Sequence, residues 1–185
     1  MVSVVSCPLI CAPVAEEQAV VKVFCNGTPC TIRPATKDDY TELLKLVPLV
    51  SRCPSMHDDD MLNEVFSNPW YHPYVVVRDD ISQIVTFGEL LRLPHMGRAY
   101  DARLERVVTR EEFRRNGAAT KLCQFMVVLA ARLRCGRIDL TVENPTARRI
   151  YANLGFESVK TEVQRVMLTK ENMEKVDEDF KSHFQ

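Results

Sequence analysis

One long helical pattern, placed between two short β-favouring runs, limits what this chain can fold into more than any other feature. Apolar side chains recur with the spacing of one helix face within the segment 117–134, at Leu122, Phe125, Met126, Leu129 and Leu133. The runs on either side, 102–109 and 137–142, contain the apolar and β-branched residues typical of strands. This order predicts a strand–helix–strand unit.

The first half of the chain differs from this strand–helix–strand unit, because its strands are joined by tight turns. Two pairs of β-favouring runs have this arrangement, 20–24 with 28–32 and 74–78 with 83–93. Asn26-Gly27 lies between the first pair, and this dipeptide is the strongest short hairpin signal because both residues tolerate positive φ. The stretch 68–73 contains two prolines and is expected to be a loop.

Helical signals complete the element order. Thr36 is a candidate N-cap for a helix with apolar positions at Leu43, Leu44, Val47 and Val50, and further helices are expected over 59–66 and 144–154, the last ended by Gly155. Strands at 157–159 and 163–168 close the pattern. The order β-α-α-β-β-β-α-β-α-β-β predicts a mixed α/β sheet rather than a doubly wound parallel one.

The length of 185 residues, with 46% apolar and 26% charged side chains, suits one domain with one buried core. No uncharged apolar run approaches the ~20 residues that span a bilayer, so we expect a soluble protein without a membrane partner. We predict an N-terminal extension over 1–19, a single domain over 20–169 and a helical C-terminal tail over 170–185.

The net charge of −1 argues against a general nucleic-acid or membrane binder, but it conceals an asymmetry. Between Arg98 and Arg149, twelve basic residues, eleven of them arginines, and six acidic ones give a charge of +6. A guanidinium group suits phosphate oxygens, so one interpretation is a localised anionic ligand. The other is that these arginines lie in solvent-exposed helices and loops.

The seven cysteines are irregularly spaced, with no Cys-x-x-Cys pair and no histidine at zinc-finger spacing, so no metal site is expected. Reduced thiols in the cytosol are the simplest interpretation. No lysine or arginine precedes Lys22, so the apolar N-terminus lacks the positively charged region of a secretory signal. We therefore expect a cytoplasmic protein.

A polar turn separates the strand at 102–109 from the long helix. It reads Arg114-Arg115-Asn116-Gly117-Ala118-Ala119, with small residues where a ligand would approach the backbone. Such a turn directs several N–H groups and the positive end of the helix dipole at one point, which suits a pyrophosphate. The alternative is that Gly117 simply begins a helix.

This turn resembles the Arg/Gln-x-x-Gly-x-Gly/Ala signature of the GNAT N-acetyltransferase superfamily, in which it follows the fourth strand and holds the pyrophosphate of acetyl coenzyme A. A second stretch, Asn144-x-x-Ala147-x-x-x-Tyr151-x-x-x-Gly155-Phe156, resembles the family's later motif. Two motifs about thirty residues apart, each in the expected context, are more specific than either alone.

The resemblance covers 31–168 in element order and 104–156 in motifs. It implies the α/β GNAT fold, a mixed and mostly antiparallel sheet of about seven strands with helices on both faces. It also implies that the family's fourth and fifth strands, here 102–109 and 137–142, are splayed apart. Acetyl coenzyme A would be the co-substrate.

The resemblance implies a role for each matching residue. The backbones of Val107 and Val108 would bind the pantetheine amides like an added strand. The pyrophosphate would be held, mostly by main chain, by Arg114, Arg115, Asn116, Gly117, Ala118 and Ala119, with Thr120 and Lys121 as supplements. Asn144 would contact the pantetheine arm. Tyr151 would protonate the departing thiolate or stabilise it by a hydrogen bond, and the alternative for Tyr151 is a core aromatic.

Acyl transfer to an amine also needs a neutral amine, and therefore a modest base. Glu105 is the best candidate because it lies on the strand next to the splayed region. Its alternative is an ion pair with Arg103 or Arg106. No nucleophilic cysteine is expected, because direct attack of the amine in a ternary complex needs no acyl-enzyme.

The acceptor is expected to be the amine of a small molecule or a peptide, bound by the region 43–98. The acidic run 58–60 could attract a cationic amine, or it could form a helix N-terminus. Candidate walls of a pocket are Trp70, Tyr71, His72 and Tyr74, with core packing as the alternative for Tyr74.

The stretches 97–108 and 133–135 are also similar to eukaryotic glucosamine 6-phosphate N-acetyltransferases. Those enzymes usually have Glu-Asp-Val-Val-Val where this chain has Glu105-Arg106-Val107-Val108-Thr109, and an asparagine where it has Ala147. A different class is a domain that binds acyl coenzyme A as a sensor without turnover, although the presence of Tyr151 favours catalysis. Related enzymes are often dimers, so a homodimer is expected.

Overall fold

The described part of the chain begins with the predicted hairpin. In the computed structural model, β1 (Val21–Cys25) and β2 (Thr28–Pro34) pair antiparallel. Asn26 and Gly27 have φ angles of 49° and 83°. Both are left-handed, as a two-residue type I′ turn requires, so the local hairpin prediction is confirmed.

Four more strands extend the hairpin into a six-stranded sheet, β3 (Tyr71–Arg78), β4 (Gln83–Leu93), β5 (Tyr100–Thr109) and β6 (Cys135–Asp139). The strands lie side by side in chain order, and all neighbours pair antiparallel except β5 and β6, which are parallel. A parallel pair needs a long crossover, and helix α3 (Ala118–Arg132) provides it. The mixed, mostly antiparallel sheet is therefore confirmed.

Strand β3 begins earlier than predicted, within the stretch 68–73 that was expected to be a loop. Pro73 can belong to the strand because it lies where the ladder between β2 and β3 ends. Strand β2 ends at Pro34, and the Pro73 carbonyl accepts a hydrogen bond from the Ala35 N–H at 2.9 Å. A proline without an N–H is tolerated where the neighbouring strand stops.

The structure describes residues 20–51 and 58–160. The segment 157–159, predicted as a strand, has no regular secondary structure there. A strand forms only against a neighbour, and none of the strands among the described residues pairs with this segment. Three predicted segments lie outside them: the extension 1–19, the strand 163–168 and the tail 170–185.

The chain divides into two compact units, one ending at Leu154 and the other beginning at Gly155. All six described strands belong to the first unit. The single domain expected over 20–169 stays a prediction.

The sheet is accompanied by α3 and three other helices, α1 (Tyr40–Leu43), α2 (Asp59–Ser67) and α4 (Pro145–Asn153). At the start of α2, the Asp58 carboxylate accepts a hydrogen bond from the Met61 N–H at 2.9 Å. The acidic run 58–60 is thus a helix N-terminus, one of its two interpretations. Within the two described ranges, no helix has the length and apolar content needed to cross a membrane.

The first predicted helix is much shorter than its apolar spacing indicated. Helix α1 ends at Leu43, and the N–H of Leu46 bonds to the Leu43 carbonyl three residues back. A separate 3₁₀ turn covers Val47–Leu49. Pro48 has no N–H for an α-helical bond and disfavours helical backbone at the residue before it, so the helix cannot continue.

Two apolar clusters, one on each face of the sheet, show that helices cover both faces. Neighbouring residues of β3 belong to different clusters, Val76 to the one with α3 and Val75 to the one with α1. Leu122 and Met126 of α3 are fully buried in the first cluster. Phe66 of α2 packs against the second. The expected placement of helices on both faces is confirmed.

Strands β5 and β6 separate after a short parallel ladder. The ladder runs from Tyr100 to Arg103 on β5, whereas β5 itself continues to Thr109. A gap therefore opens at the carboxyl end of β5, where the edge that faces β6 lies past the end of the ladder. This confirms the splayed pair of strands that the resemblance implied.

A β-bulge distorts β5 beside this gap. Phe87 pairs with Val108 and Glu89 pairs with Glu105, so two residues of β5 face Gly88 alone. One of the two, Arg106, has a φ of 47°. A Cβ on Gly88 would lie 3.1 Å from a Leu122 methyl group and 3.3 Å from a Val107 methyl group. Glycine thus lets β4, the bulge and α3 approach closely.

We predict that Gly88→Val lowers the free energy of unfolding by about 1–3 kcal/mol, because its methyl groups overpack the contact between β4 and α3. Urea denaturation measures this loss. Gly88→Ala is the graded control, since one methyl group should cost less. A Gly88→Val protein as stable as the wild type would contradict close packing at the bulge.

Candidate active site

The turn before α3 has two left-handed residues. Arg115 and Gly117 have φ angles of 63° and 86°. The Asn116 side-chain oxygen accepts a hydrogen bond from the Ala118 N–H at 3.1 Å, which holds the turn against the helix. A Cβ on Gly117 would meet nothing within 4 Å, so glycine is favoured there by its backbone angle rather than by a shortage of space.

The first turn of α3 suits an anionic ligand. The first α-helical hydrogen bond runs from the Lys121 N–H to the Gly117 carbonyl at 3.0 Å, so the N–H groups of Ala119 and Thr120 precede the helical ladder. The positive end of the helix dipole lies at the same place. Ala118 is 1% exposed, and its small size serves the packing of α3 on the sheet. The turn therefore fits a phosphate group through its backbone.

Carboxylates neutralise much of the arginine-rich segment. Six of its arginines form ion pairs: Arg98, Arg103, Arg106, Arg110, Arg114 and Arg137. Arg114 of the turn pairs with Glu111 at 3.0 Å, and both side chains are largely exposed. Two of the partners, Glu89 and Glu42, lie outside the segment and reduce the positive charge that remains for a ligand below +6. The other partners are already included in that count, and exposed surface pairs contribute little to stability.

Val107 and Val108 lie on β5 beyond the last residue that pairs with β6. Their side chains point to opposite faces, since Val107 packs against the α3 cluster and Val108 is buried in the α1 cluster. No strand among the described residues pairs with this stretch on the β6 side. An extended ligand could therefore bind this edge as an added strand, which is the geometry the resemblance implied.

Tyr151 of α4 packs, half-buried, against the α3 cluster. Burial raises the pKa of its phenol well above the ordinary value, and the nearby Cys123 thiol and Glu105 carboxylate raise it further. Tyr151 therefore carries its proton at neutral pH, as a donor must. The ring packs in the core, which was one of the two interpretations from the sequence, and the donor role of the hydroxyl group stays a prediction.

Glu105 forms the ion pair that was considered as the alternative to its role as a base. Its carboxylate binds the Nε of Arg103, which also donates to the Thr141 hydroxyl at 3.0 Å through Nη2. The Glu105 charge adds to the rise in the pKa of Tyr151, after burial and Cys123.

Asn144 acts as the N-cap of α4. Its side-chain oxygen accepts hydrogen bonds from the N–H groups of Thr146 at 2.8 Å and Ala147 at 3.4 Å. Pro145 occupies the first helical position, where a missing N–H costs nothing. The cap uses the oxygen of the Asn144 amide, so its NH₂ group is the part suited to donate to a ligand.

A cavity of about 560 Å³ lies on the α1 side of the sheet, within the size range of small-molecule sites. Its walls come from α1 and the turn after it, α2, strands β3 and β4, and Arg106 of the bulge. Trp70 and Tyr71 line it, as expected. Tyr74 is 5% exposed and packs in the core, which was its alternative.

A buried carboxylate, Glu89, lies in this cavity and was not identified from the sequence. It is 4% exposed, accepts a hydrogen bond from the Tyr71 hydroxyl at 2.9 Å and pairs with Arg106 at 2.7 Å. Burial, followed by the Glu89 charge, raises the pKa of Tyr71, so its hydroxyl stays a donor. One feature of the sequence could have identified Glu89, because it is the one acidic residue inside the otherwise largely apolar run 83–93.

Across the described residues, no group of three or more His, Cys, Asp or Glu side chains is arranged to hold a metal ion. The cysteine that lies near Tyr151 is also unsuited to nucleophilic attack. Burial raises the pKa of the Cys123 thiol to about 12, so it carries no thiolate at neutral pH.

Solved structures with the same fold include three named acetyltransferases. Glucosamine-6-phosphate N-acetyltransferase from Arabidopsis thaliana is 16% identical, with a TM-score of 0.67, over 75% of this chain and 98% of that one. An acetyltransferase from Trypanosoma brucei is 17% identical, with a TM-score of 0.63, over 75% and 99%. An aminoglycoside acetyltransferase from an uncultured soil metagenomic sample, in complex with trehalose, is 13% identical, with a TM-score of 0.65, over 76% and 97%.

Identities this low establish the fold and leave the substrate open. The family assignment rests on the sequence as well as on the fold. The model of the acetyltransferase (GNAT) family matches residues 38–156, which is more than half of the chain and contains both the turn before α3 and helix α4. On this match and on the fold, the chain belongs to the acetyltransferase (GNAT) family.

Proposed function

We propose that this protein transfers the acetyl group of acetyl-CoA to a primary amine, by direct attack in a ternary complex. The observation that carries the proposal is the gap at the carboxyl end of β5. Two other features adjoin that end of the strand: the left-handed turn at Arg115 and Gly117, and the cavity that reaches Arg106 of the bulge. Ligands commonly bind beyond the carboxyl ends of parallel strands.

The residues fit acetyl-CoA, which supplies an activated acetyl thioester. The free edge of β5 at Val107 and Val108 would hold the pantetheine amides. Asn144 would donate to the arm through its NH₂ group. The pyrophosphate would be held by the turn and the first residues of α3, Arg114, Arg115, Asn116, Gly117, Ala118, Ala119 and Thr120.

Tyr151 is proposed as the acid. The reaction forms a bond between the acceptor nitrogen and the acetyl carbon and breaks the bond between that carbon and sulfur. The leaving sulfur needs a proton or a hydrogen bond, and the Tyr151 hydroxyl can supply either because it is protonated at neutral pH. Solvent then returns a proton to the tyrosine.

The acceptor nitrogen must lose a proton, and two carboxylates are candidates to take it. Glu105 is the base expected from the sequence, and its carboxylate binds Arg103. Glu89 lies in the cavity, and each of its oxygens has a lone pair beyond the bonds to Tyr71 and Arg106. Both carboxylates bind an arginine, so the place of Glu89 in the cavity is what favours it as the proton acceptor.

A sensor that binds acyl-CoA without turnover is the second function class, and no contact among the described residues favours it over catalysis. A cytoplasmic location and a homodimer stay predictions from the sequence.

The turn before α3 can be tested with a matched pair of glycine variants. Gly117→Ala and Gly97→Ala should each lose about 1 kcal/mol of stability, because alanine is strained in left-handed backbone. Gly97 has a φ of 78° against 86° at Gly117, and neither Cβ would meet another atom within 4 Å. Titration calorimetry with coenzyme A should show about tenfold weaker binding, or about 1.4 kcal/mol, for Gly117→Ala alone.

Equal affinity in the two variants would mean that the turn does not hold the pyrophosphate. Urea denaturation of both proteins verifies that the backbone cost is matched.

Thiol release from acetyl-CoA in the presence of mixed primary amines tests the reaction itself. The wild type should release thiol, and Tyr151→Phe should lower kcat about tenfold or more with coenzyme A affinity unchanged, because only the proton donor is lost. Tyr100→Phe is the control, since Tyr100 contacts Trp70 outside the proposed machinery. If acetyl-CoA stabilises the wild type against heat but no amine causes thiol release, the sensor class is correct.

The proton acceptor can be identified by two Glu→Gln variants, which keep the shape of the side chain and remove its charge. Glu89→Gln should lower kcat about 100-fold with coenzyme A affinity unchanged, because the group that accepts the proton is lost. Glu105→Gln should lower kcat much less. Tyr71→Phe leaves the Glu89 charge in place and should have an intermediate effect on kcat. If Glu105→Gln shows that large loss of kcat and Glu89→Gln does not, Glu105 is the base.

A further inference from the structure

We infer that the acceptor is a primary amine attached to an apolar body of at least one aromatic ring, bound in the α1-side cavity with its nitrogen at Glu89. This inference rests on the proposed function and narrows its acceptor class. It excludes amines whose bodies carry a phosphate or a carboxylate.

The walls of the cavity are the first reason. Three separate elements contribute apolar side chains to it: Leu43 of α1, Val65 and Phe66 of α2, and Phe87 and Leu91 of β4. A sugar placed against such walls would lose hydrogen bonds from its hydroxyl groups to water without replacement. An aromatic or branched aliphatic body would instead gain by leaving water.

The charges of the cavity are the second reason. Glu89 and Arg106 pair at 2.7 Å, and the Tyr71 hydroxyl donates to the other Glu89 oxygen. Arg106 is therefore already bound to a carboxylate. A phosphate or carboxylate of the acceptor would have to compete with Glu89 for it, and the two anions would repel each other at close range.

Arg92 is the remaining ionic side chain among the described lining residues, and its guanidinium stacks on aromatic rings. It lies 3.6 Å from the Tyr100 centroid and 5.2 Å from the Trp70 centroid. Tyr100 is not part of the cavity wall. The Nε of Arg92 is buried, without a hydrogen-bond partner among the described residues, and is therefore not open to a phosphate or carboxylate of the acceptor.

The apolar walls would also assist the chemistry. An ammonium group moved from water into such a cavity has a lowered pKa, because desolvation disfavours its charge. The amine is then more often neutral and able to attack. Glu89 is the one carboxylate among the described lining residues, and it is placed to accept the proton.

The first experiment measures binding without turnover. Trp70 is the single tryptophan of the chain and lines the cavity, so its fluorescence reports occupancy. Titration with 2-phenylethylamine, without acetyl-CoA, should change that fluorescence until the cavity is saturated. Phenylalanine differs from this probe by one carboxylate and should bind at least about tenfold more weakly. Glucosamine 6-phosphate should leave the fluorescence unchanged.

The second experiment measures turnover with the same three amines and spermidine. Thiol release should have its highest kcat/KM with 2-phenylethylamine. Equal or higher values for phenylalanine, glucosamine 6-phosphate or spermidine would overturn the inference and leave the proposed function standing. Saturable binding of 2-phenylethylamine with no thiol release from any amine would refute the proposed function, while supporting the apolar class of ligand.

A pair of variants on α2 tests the location. Val65→Asn places an amide in the wall and should raise KM for 2-phenylethylamine about tenfold with little change in kcat or in KM for acetyl-CoA. Met61→Asn is the matched control on the same helix, because Met61 is 46% exposed and outside the wall. Equal KM values in the two variants would place the acceptor elsewhere.

Discussion

The rest of the site depends on the short parallel ladder between β5 and β6. Strand β5 pairs with β4 along nearly its whole length but with β6 only up to Arg103. If the ladder continued, the edge at Val107 and Val108 would be filled by another strand. Because it stops, no strand among the described residues pairs with that edge, and backbone groups at a sheet edge need a partner.

The bulge at Arg106 adds a second consequence to the same region. A strand without a bulge alternates its side chains strictly between two faces, so Arg106 would lie on the face opposite to Glu105. The extra residue changes this alternation after Glu105 and brings Arg106 to Glu89 on the neighbouring strand. The ion pair holds a carboxylate in an apolar cavity, where an unpaired one would be costly.

Sequence reasoning succeeded where a few adjacent residues decide the conformation. The hairpin at Asn26-Gly27 and the capped start of α4 at Asn144-Pro145 are of this kind. It failed for the first helix, because an apolar spacing that suits a helix was given more weight than Pro48. It also missed Glu89, because an acidic residue in an apolar strand reveals no partner until the neighbouring strand is placed.

The element order, a turn at Gly117 and the residues that match the family follow from the sequence, since each depends on neighbours along the chain. The partner of each carboxylate depends instead on how distant segments pack. Glu105 binds Arg103, two residues away, whereas Glu89 binds Arg106, seventeen residues away on the adjacent strand. The second pairing follows from strand register and a bulge, and register is set by packing across the whole sheet.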